Sequence, residues 1–181
     1  MTNHSDFSRQ GVVEPITIEA DGSIKQAETT SCGLNGKPLR DSGIYPAYIA
    51  CNLMSRKWFG KFRHPLKSPF IKRDGSDGDE IAESYISGMK NGYTAGFKFF
   101  DIAGGDYEIT VTVRGSGGTL NLSTREDEKN TVGTVAFTQS ESWKPHRFRC
   151  RIPPGKQALF FTYHGTNSME MLNFTIKKEE E

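Results

Sequence analysis

Short runs in which apolar and polar residues alternate recur along most of this chain. In the clearest run, over residues 107–113, four apolar positions alternate with three polar ones. A period of two is typical of a β-strand that has one buried and one wet face. The same alternation recurs at Phe148–Ile152 and at Leu159–Tyr163. The pattern therefore predicts strands rather than helices.

A train of short strand candidates follows Tyr45, and turn residues separate nearly all of them. Glycine-rich turns such as 115–118 and Pro153–Gly155 are typical of sandwiches built from short strands. The sequence predicts an all-β fold, a β-sandwich of the jelly-roll type. The candidates are Tyr48–Leu53, Pro69–Lys72, Glu83–Met89, Ala95–Ile102, Tyr107–Arg114, Leu120–Thr124, Val132–Phe137, Arg147–Ile152, Ala158–Tyr163 and Met169–Ile176.

The N-terminal part of the chain predicts a separate β-hairpin. Two β-prone runs, Val12–Glu19 and Ile24–Thr30, flank Ala20–Ser23, in which Asp-Gly supplies the positive φ of a tight turn. An isolated hairpin is only marginally stable in water, so this one is expected to dock on something. A Gly-, Asn- and Pro-rich stretch, Cys32–Gly43, follows it and indicates a linker. We therefore divide the chain into a hairpin and linker over 1–44 and a sandwich over 45–181.

Composition narrows the classes of partner. The net charge of +1, with acids and bases interspersed, favours neither nucleic acid nor an anionic membrane as a partner. The chain contains no apolar run near the ~18 residues that a membrane span needs, and no apolar signal region near Met1. As it stands the chain is expected to be cytoplasmic, or secreted if a missing upstream part carries a signal peptide. The three cysteines are odd in number and predict reduced thiols.

Several stretches of the chain carry the motifs of a known family: Tyr85–Asp101, Ile109–Gly115, Ser142–Lys144, Ala158–Thr162 and Leu172–Phe174. Together they resemble a carbohydrate-binding module of family 6, over residues 45–177. More narrowly, they are similar to the module that ends bacterial glycoside hydrolase family 43 enzymes of the xylosidase and arabinofuranosidase type. The resemblance implies a sandwich that binds sugars.

The N-terminal residues resemble a second part of the same enzymes. Asn3–Gln10, with the hairpin through Ser31–Gly36, is similar to the end of their five-bladed propeller. The resemblance implies that the hairpin comes from the last blade and that the partner is an upstream catalytic propeller. An inverting glycosidase needs a pair of carboxylates flanking the scissile bond, and in this family they lie on earlier blades. The chain is therefore expected not to be an enzyme by itself.

The resemblance also implies the sugar-binding residues. Trp143 lies in a polar turn ahead of a strand and matches the family's stacking tryptophan, although it could instead anchor the edge of the core. Tyr93 lies beside the position of the second stacking aromatic, for which the aligned residue could be Thr94. Asn167 could supply the family's polar contact to sugar hydroxyls, although strict register puts Ser168 there.

No cofactor is expected, and a structural calcium ion is doubtful. Many modules of this family hold calcium through acidic residues on their first and last strands, but Cys51-Asn52 stands where an acid is usual. The acid-rich stretch Asp74–Glu80 could chelate calcium, but a solvated turn is the commoner outcome. We expect a non-catalytic module that binds an oligo- or polysaccharide such as xylan. The alternative is a structural domain that buttresses the propeller or borders its active site without binding sugar itself.

Overall fold

The computed structural model describes residues 13–55, 68–75 and 82–179. Within these ranges the regular structure consists of strands and two short 3-10 turns, and no helix is long and apolar enough to cross a membrane. The strands are β1 (Leu39–Arg40), β2 (Gly43–Pro46), β3 (Asn52–Met54), β4 (Phe70–Arg73), β5 (Ser84–Met89), β6 (Tyr93–Ile102), β7 (Gly105–Gly115), β8 (Gly118–Ser123), β9 (Thr131–Phe137), β10 (Ser140–Ile152), β11 (Gly155–Gly165) and β12 (Met169–Lys178).

The strands form two sheets of six that pack face to face. The first sheet has the order β1-β6-β11-β8-β9, and β3 also pairs with β6. The second sheet has the order β10-β7-β12-β5-β4, and β2 also pairs with β12. All of these pairings are antiparallel except that of β1 with β6. The predicted all-β sandwich is confirmed.

The core lies between the sheets and follows from the alternation in the sequence. Successive side chains of a strand point to opposite faces, so the apolar set of each alternating run enters the core together. In β7 these are Tyr107, Ile109, Val111 and Val113, all at most 1% exposed. Phenylalanines supply much of the remaining volume, and large aromatic side chains stabilise a core in proportion to the apolar area they bury. The fully buried ones are Phe97, Phe100, Phe161 and Phe174.

The segment before β1 contains the predicted hairpin turn. Ile18 and Ile24 form an antiparallel bridge, and the Asp21 carboxylate accepts a hydrogen bond from the backbone N–H of Ser23 at 2.9 Å. Gly22 takes a φ of 81°, the left-handed conformation that Asp-Gly was expected to supply. The turn is therefore confirmed, but in the described residues the two predicted strands beside it form only this single bridge rather than regular strands.

Contacts to β6 fasten this segment to the first sheet. The Ser31 N–H donates to the Lys98 carbonyl, and the Phe99 N–H lies 3.4 Å from the Cys32 sulfur. The Lys98 ammonium also reaches Glu28 at 2.9 Å. The hairpin is thus held at its C-terminal end, next to the middle of β6.

Two stretches of backbone differ from the expectation. Although the sequence puts the domain boundary at 44/45, β1 pairs with β6 and β2 pairs with β12, so the sheets include residues on the N-terminal side of it. The strand predicted over Tyr48–Leu53 is largely wrong: Ala47–Ile49 form a 3-10 turn, and only Asn52–Met54 form a strand. The turn places Ala47 in the core while Tyr48 stays exposed. The strand preferences of the individual residues do not predict this interruption of the strand.

One buried hydroxyl ties the β1–β2 turn to the second sheet. The Tyr107 hydroxyl donates to the Asp41 carboxylate at 2.9 Å, and the Ala103 N–H donates to the same oxygen at 3.2 Å. Burial, together with the hydrogen bond to Asp41 and its negative charge, raises the pKa of Tyr107 to about 12 from 10.0. A raised pKa in the folded state means that this stabilisation is complete below the ordinary pKa and is lost as the pH rises through the folded one.

We therefore expect Tyr107→Phe to lower the free energy of unfolding by about 1.5–3 kcal/mol at pH 7, the usual value of a hydrogen bond to a charged group. Between pH 9 and pH 11 the difference from wild type should shrink by about 1.4 kcal/mol, because one pKa unit is equivalent to that energy. Urea unfolding at the two pH values measures it. A difference that stays constant over this range would contradict the assignment.

Candidate functional site

Three turns meet at one end of the sandwich. Gly115, at the end of β7, is the strand partner of both Ser140 and Met169. Gly118, at the start of β8, pairs with Gly165 and with Phe137. The β7–β8, β9–β10 and β11–β12 turns are therefore neighbours, and we call this the loop end. The loop end contains Asn167 and lies next to Trp143.

Trp143 lies where β10 departs from regular pairing with β7. The register shifts between Ser140 and Lys144, and the Ser140 hydroxyl bonds the carbonyl of Ser142 at 2.8 Å within the irregular stretch. Bulges of this kind re-aim a side chain relative to the pleat. The Trp143 indole is half-buried, and its ring packs on the edge of Tyr85 with centroids 5.3 Å apart.

Arg114 is the second neighbour of the indole. It follows the core residue Val113 in β7, so its side chain points to the outer face of the second sheet. Its guanidinium carbon lies 4.2 Å from the centre of the Trp143 ring and 4.8 Å from that of Tyr85, within the range of cation–π attraction. One cation thus contacts both aromatic rings.

Acidic side chains fix Arg114 in this place. Its Nε lies 2.6 Å from one carboxylate oxygen of Glu170, and the other oxygen accepts a hydrogen bond from the Ser87 hydroxyl at 2.6 Å. Burial by itself would lower the pKa of the Arg114 guanidinium, but the hydrogen bond to Glu170 and the negative charges of Glu170 and Asp74 together outweigh burial and raise that pKa. Asp74 lies 3.7 Å from the same guanidinium and accepts the Tyr85 hydroxyl at 2.8 Å.

We call these residues the indole cluster: Trp143, Tyr85, Arg114, Glu170, Ser87 and Asp74. They come from β10, β5, β7 and β12 and from the residue that follows β4. Of these residues, Trp143 was expected at the sugar site and Asp74 only as a possible calcium ligand, while the roles of the other four could not be predicted. Their only signal was that Arg114 and Glu170 stand at polar positions next to core residues, and that signal does not show which strands become neighbours.

The other two predicted site residues lie at or near the same end. Tyr93 begins β6 opposite Tyr163 and packs half-buried against the edge of the core. Thr94, the alternative to it, is buried and shares a hydrogen bond of 2.8 Å with Thr162, so it offers no aromatic surface. Asn167 is exposed, beside Ser168, whose carbonyl accepts the Ser116 N–H at 3.0 Å.

The three predicted residues do not form one joint contact. In the part of the chain that the structure describes, the ring contacts of Trp143 are with Tyr85 and Arg114. The described ring contacts therefore do not join Trp143 to Tyr93, the second stacking aromatic of the expected site. Contact of each of the three with sugar stays a prediction.

The calcium expectation concerns residues that are only partly described. Asp74 is surrounded by cations, since Lys72 lies 3.9 Å and Arg114 3.7 Å from its carboxylate, and these compete with a metal ion for the same oxygens. Asp77, Asp79 and Glu80 lie outside the described residues. Across 13–55, 68–75 and 82–179, no group of three or more His, Cys, Asp and Glu side chains is placed to hold a metal. That no cofactor is needed stays a prediction.

Comparisons with known proteins were made on the sequence and on the fold. No protein-family model matches the chain. A curated xylosidase/arabinosidase from Thermoclostridium stercorarium is 39% identical over 186 residues, which cover 97% of this chain and 38% of that protein. The chain thus spans well under half the length of this relative.

Solved structures identify the fold. A β-1,3-glucan-binding family 6 module from Bacillus halodurans superposes with a TM-score of 0.62 at 14% identity, covering 78% of this chain and 100% of that one. The chain has the fold of a family 6 carbohydrate-binding module. A family 43 arabinoxylan arabinofuranohydrolase from Bacillus subtilis matches the module with a TM-score of 0.65 at 16% identity, over 91% of this chain and 33% of that enzyme.

The comparisons confirm the resemblance predicted from the motifs. The relative by sequence is a xylosidase/arabinosidase, and the structural neighbours include both free-standing family 6 modules and a family 43 enzyme. One stretch used for that prediction, Asn3–Gln10, lies outside the described residues. The chain therefore corresponds to a part of this longer relative, and the sandwich makes up most of the chain.

Proposed function

We propose that this chain is a non-catalytic carbohydrate-binding module that binds a plant β-glycan such as xylan on the free side of Trp143. The observation that carries the proposal is a half-buried indole held beside the loop end of a family 6 fold. An exposed aromatic face is the surface on which the apolar face of a sugar ring stacks. Tyr93 and Asn167, at the same end, are proposed to supply further contacts.

The comparisons support the type of ligand. A module from Clostridium stercorarium with the same fold was solved in complex with cellobiose, and one from Clostridium cellulolyticum in complex with xylose. The relative by sequence is named a xylosidase/arabinosidase. A β-linked glycan with xylose units is therefore the first ligand to test.

The chain is proposed to perform no hydrolysis by itself. Glycoside hydrolysis needs two carboxyl groups that face the scissile bond, one of them protonated. The acids nearest to Trp143 in the indole cluster, Glu170 and Asp74, both lie beside the Arg114 guanidinium. This cation occupies carboxylate oxygens that a substrate would need. Catalysis belongs, in this proposal, to a propeller domain in the longer protein.

Trp143→Ala should abolish most of the affinity of the chain for xylo-oligosaccharides. Truncating an aromatic anchor at the centre of an interface costs about 2 kcal/mol or more, which is a loss of about 30-fold or more. Isothermal titration with xylohexaose and with a mixed-linkage glucan measures it. Tyr93→Ala and Asn167→Ala should each reduce affinity by a smaller factor.

A matched control is available in Tyr48, an exposed aromatic that belongs to the turn before β3. Tyr48→Ala should leave the affinity unchanged. Wild-type chain that binds neither glycan, or Trp143→Ala that binds as tightly as wild type, would contradict the proposal. Release of the aryl group from an aryl xyloside by the isolated chain would contradict the absence of catalysis.

A second function is favoured by one observation: the N-terminal segment exposes apolar side chains. Val13, Ile16, Ile18 and Ile24 are 53–64% exposed. Surfaces of this kind mark contacts with another protein surface. In this alternative the module buttresses an upstream catalytic propeller through the hairpin.

The alternative is tested in a fusion of this chain to a family 43 catalytic domain. Ile18→Asp should lower the melting temperature of the fused catalytic domain and its turnover of an aryl xyloside. In the isolated chain the same change should have little effect, because Ile18 is 64% exposed there. A fusion that is indifferent to Ile18→Asp would exclude the hairpin as the docking surface.

A further inference from the structure

The indole cluster shows which side of the Trp143 ring is covered by its neighbours. The Arg114 guanidinium lies 4.2 Å from the ring centre, and Tyr85 packs against the ring at an interplanar angle of 71°. A planar guanidinium stacks well on an aromatic face, better than an ammonium does. The cation therefore covers one side of the indole, and a ligand would stack on the other side.

The cation itself has little freedom. Arg114 is 25% exposed, Glu170 is 22% exposed, and their Nε and carboxylate oxygen lie 2.6 Å apart. The second oxygen of Glu170 is bonded to Ser87 on β5, so the carboxylate joins the central strand β12 to a neighbour. Charge-assisted bonds of this type are short and directional. The chain of contacts from Ser87 through Glu170 and Arg114 to Trp143 consequently fixes the orientation of the indole.

We propose that Arg114 and Glu170 are positioning residues that hold the Trp143 ring ready as a one-sided platform for a sugar. This inference rests on the proposed function, since it assigns how that site is prepared. Neither residue needs to touch the ligand. A side chain that is already ordered loses less conformational freedom when a ligand binds, so affinity improves without any new contact. In this arrangement the Trp143 ring has a cation on one side and receives sugar on the other.

The test uses indole fluorescence together with binding. Trp58→Phe leaves Trp143 as the remaining one of the two tryptophans, so the emission reports on one residue. In this background Arg114→Met removes the charge and keeps an unbranched side chain. We expect lower fluorescence anisotropy of Trp143, stronger quenching by acrylamide, and xylohexaose affinity reduced by about 2-fold to 10-fold, the range that ordering one side chain costs.

Further variants separate positioning from stability. Arg114→Lys keeps a cation near the ring and should restore part of the anisotropy and affinity, while Glu170→Gln, which removes the partner charge, should change both in the same direction as Arg114→Met. The matched control is Arg149→Met on β10, where the arginine is 77% exposed and paired with Glu179 at 2.7 Å. It should change neither readout.

The outcomes distinguish the two proposals. If Arg114→Met lowers the melting temperature but leaves the anisotropy of folded protein and its affinity as in wild type, the residue is merely structural and the inference is wrong. If the wild-type chain binds no glycan, the proposed function fails. In that case the anisotropy of Arg114→Met and Arg114→Lys still decides whether Arg114 orders the indole. Ordered indole in wild type and mobile indole in Arg114→Met would uphold the positioning.

Discussion

Replacing Phe174 with alanine should lower the free energy of unfolding by about 3–5 kcal/mol, the usual cost of deleting a buried phenylalanine. Its ring lies on β12, in the middle of the second sheet, and reaches across the core. Four aromatic rings surround it, with centroids between 4.8 and 6.1 Å away, and they belong to Phe97, Phe161, Tyr45 and Phe100. Alanine would remove the shared neighbour of all four. Because the four rings are held on three strands, β2, β6 and β11, the cavity cannot collapse easily.

Chemical denaturation of Phe174→Ala measures this effect at the midpoint and in the extrapolated free energy. Phe174→Leu, which retains most of the volume, should cost clearly less. Ile44→Ala is the surface control, because Ile44 is 72% exposed on the adjacent strand β2, and we expect a change within about 0.5 kcal/mol. A loss below about 1 kcal/mol in Phe174→Ala would show that these rings do not form a close-packed core.

Gly118→Ala should lower the free energy of unfolding by about 3 kcal/mol or more, which is the upper end of the usual penalty for overpacking a core. A methyl group at Gly118 would collide with the carbonyl oxygen of His164, lie 2.8 Å from the Tyr163 ring and lie 3.2 Å from the Cα of Gly165. Two of these three obstacles are backbone, so a side-chain rotation cannot relieve the clash. The strands β8 and β11 approach here because both partners are glycines.

The same substitution should also disturb the candidate site. Gly118 follows the β7–β8 turn, and Gly165 precedes the loop that carries Asn167. We therefore expect Gly118→Ala to reduce glycan affinity as well as the melting temperature. Gly155→Ala is the matched control: its Cβ would meet nothing within 4 Å, although its φ of 104° disfavours a side chain, so it should cost about 1–2 kcal/mol. Equal costs in the two variants would contradict the steric argument.

Much of the fold could be predicted because the strands carry their own periodicity. The alternation at Tyr107–Val113 predicts both the strand and the face that enters the core, and β7 spans Gly105–Gly115 accordingly. The hairpin turn at Asp21-Gly22 could also be predicted, because a positive φ is a local requirement that glycine meets. Strands as short as Leu39–Arg40 could not be, since two residues carry no period and their pairing with β6 is not local.

The candidate site, too, could be predicted from the sequence only in part. Trp143 was identified from a motif, but the structure places it within β10, in the stretch of irregular pairing, rather than in a turn ahead of the strand. Its neighbours Tyr85 and Arg114 are 58 and 29 residues away in the chain, and no local pattern connects either of them with Trp143. Only the order of strands in the second sheet brings them together. Tyr93, the second aromatic residue of the expected site, lies on β6 in the other sheet. The described ring contacts do not join it to Trp143.

By itself the sequence determined the strands, the faces they bury and the residues that resemble a sugar-binding family, because each of these depends on neighbours within a few positions. The tertiary structure alone decided which strands pair, that residues from Leu39 onwards join the sheets, and that Trp143 rests on Arg114 and Tyr85. The physical reason is that register and sheet order are fixed by packing over long separations in the chain. The contacts that hold the Trp143 ring therefore follow from the order of β5, β7, β10 and β12 in the second sheet and not from the local sequence.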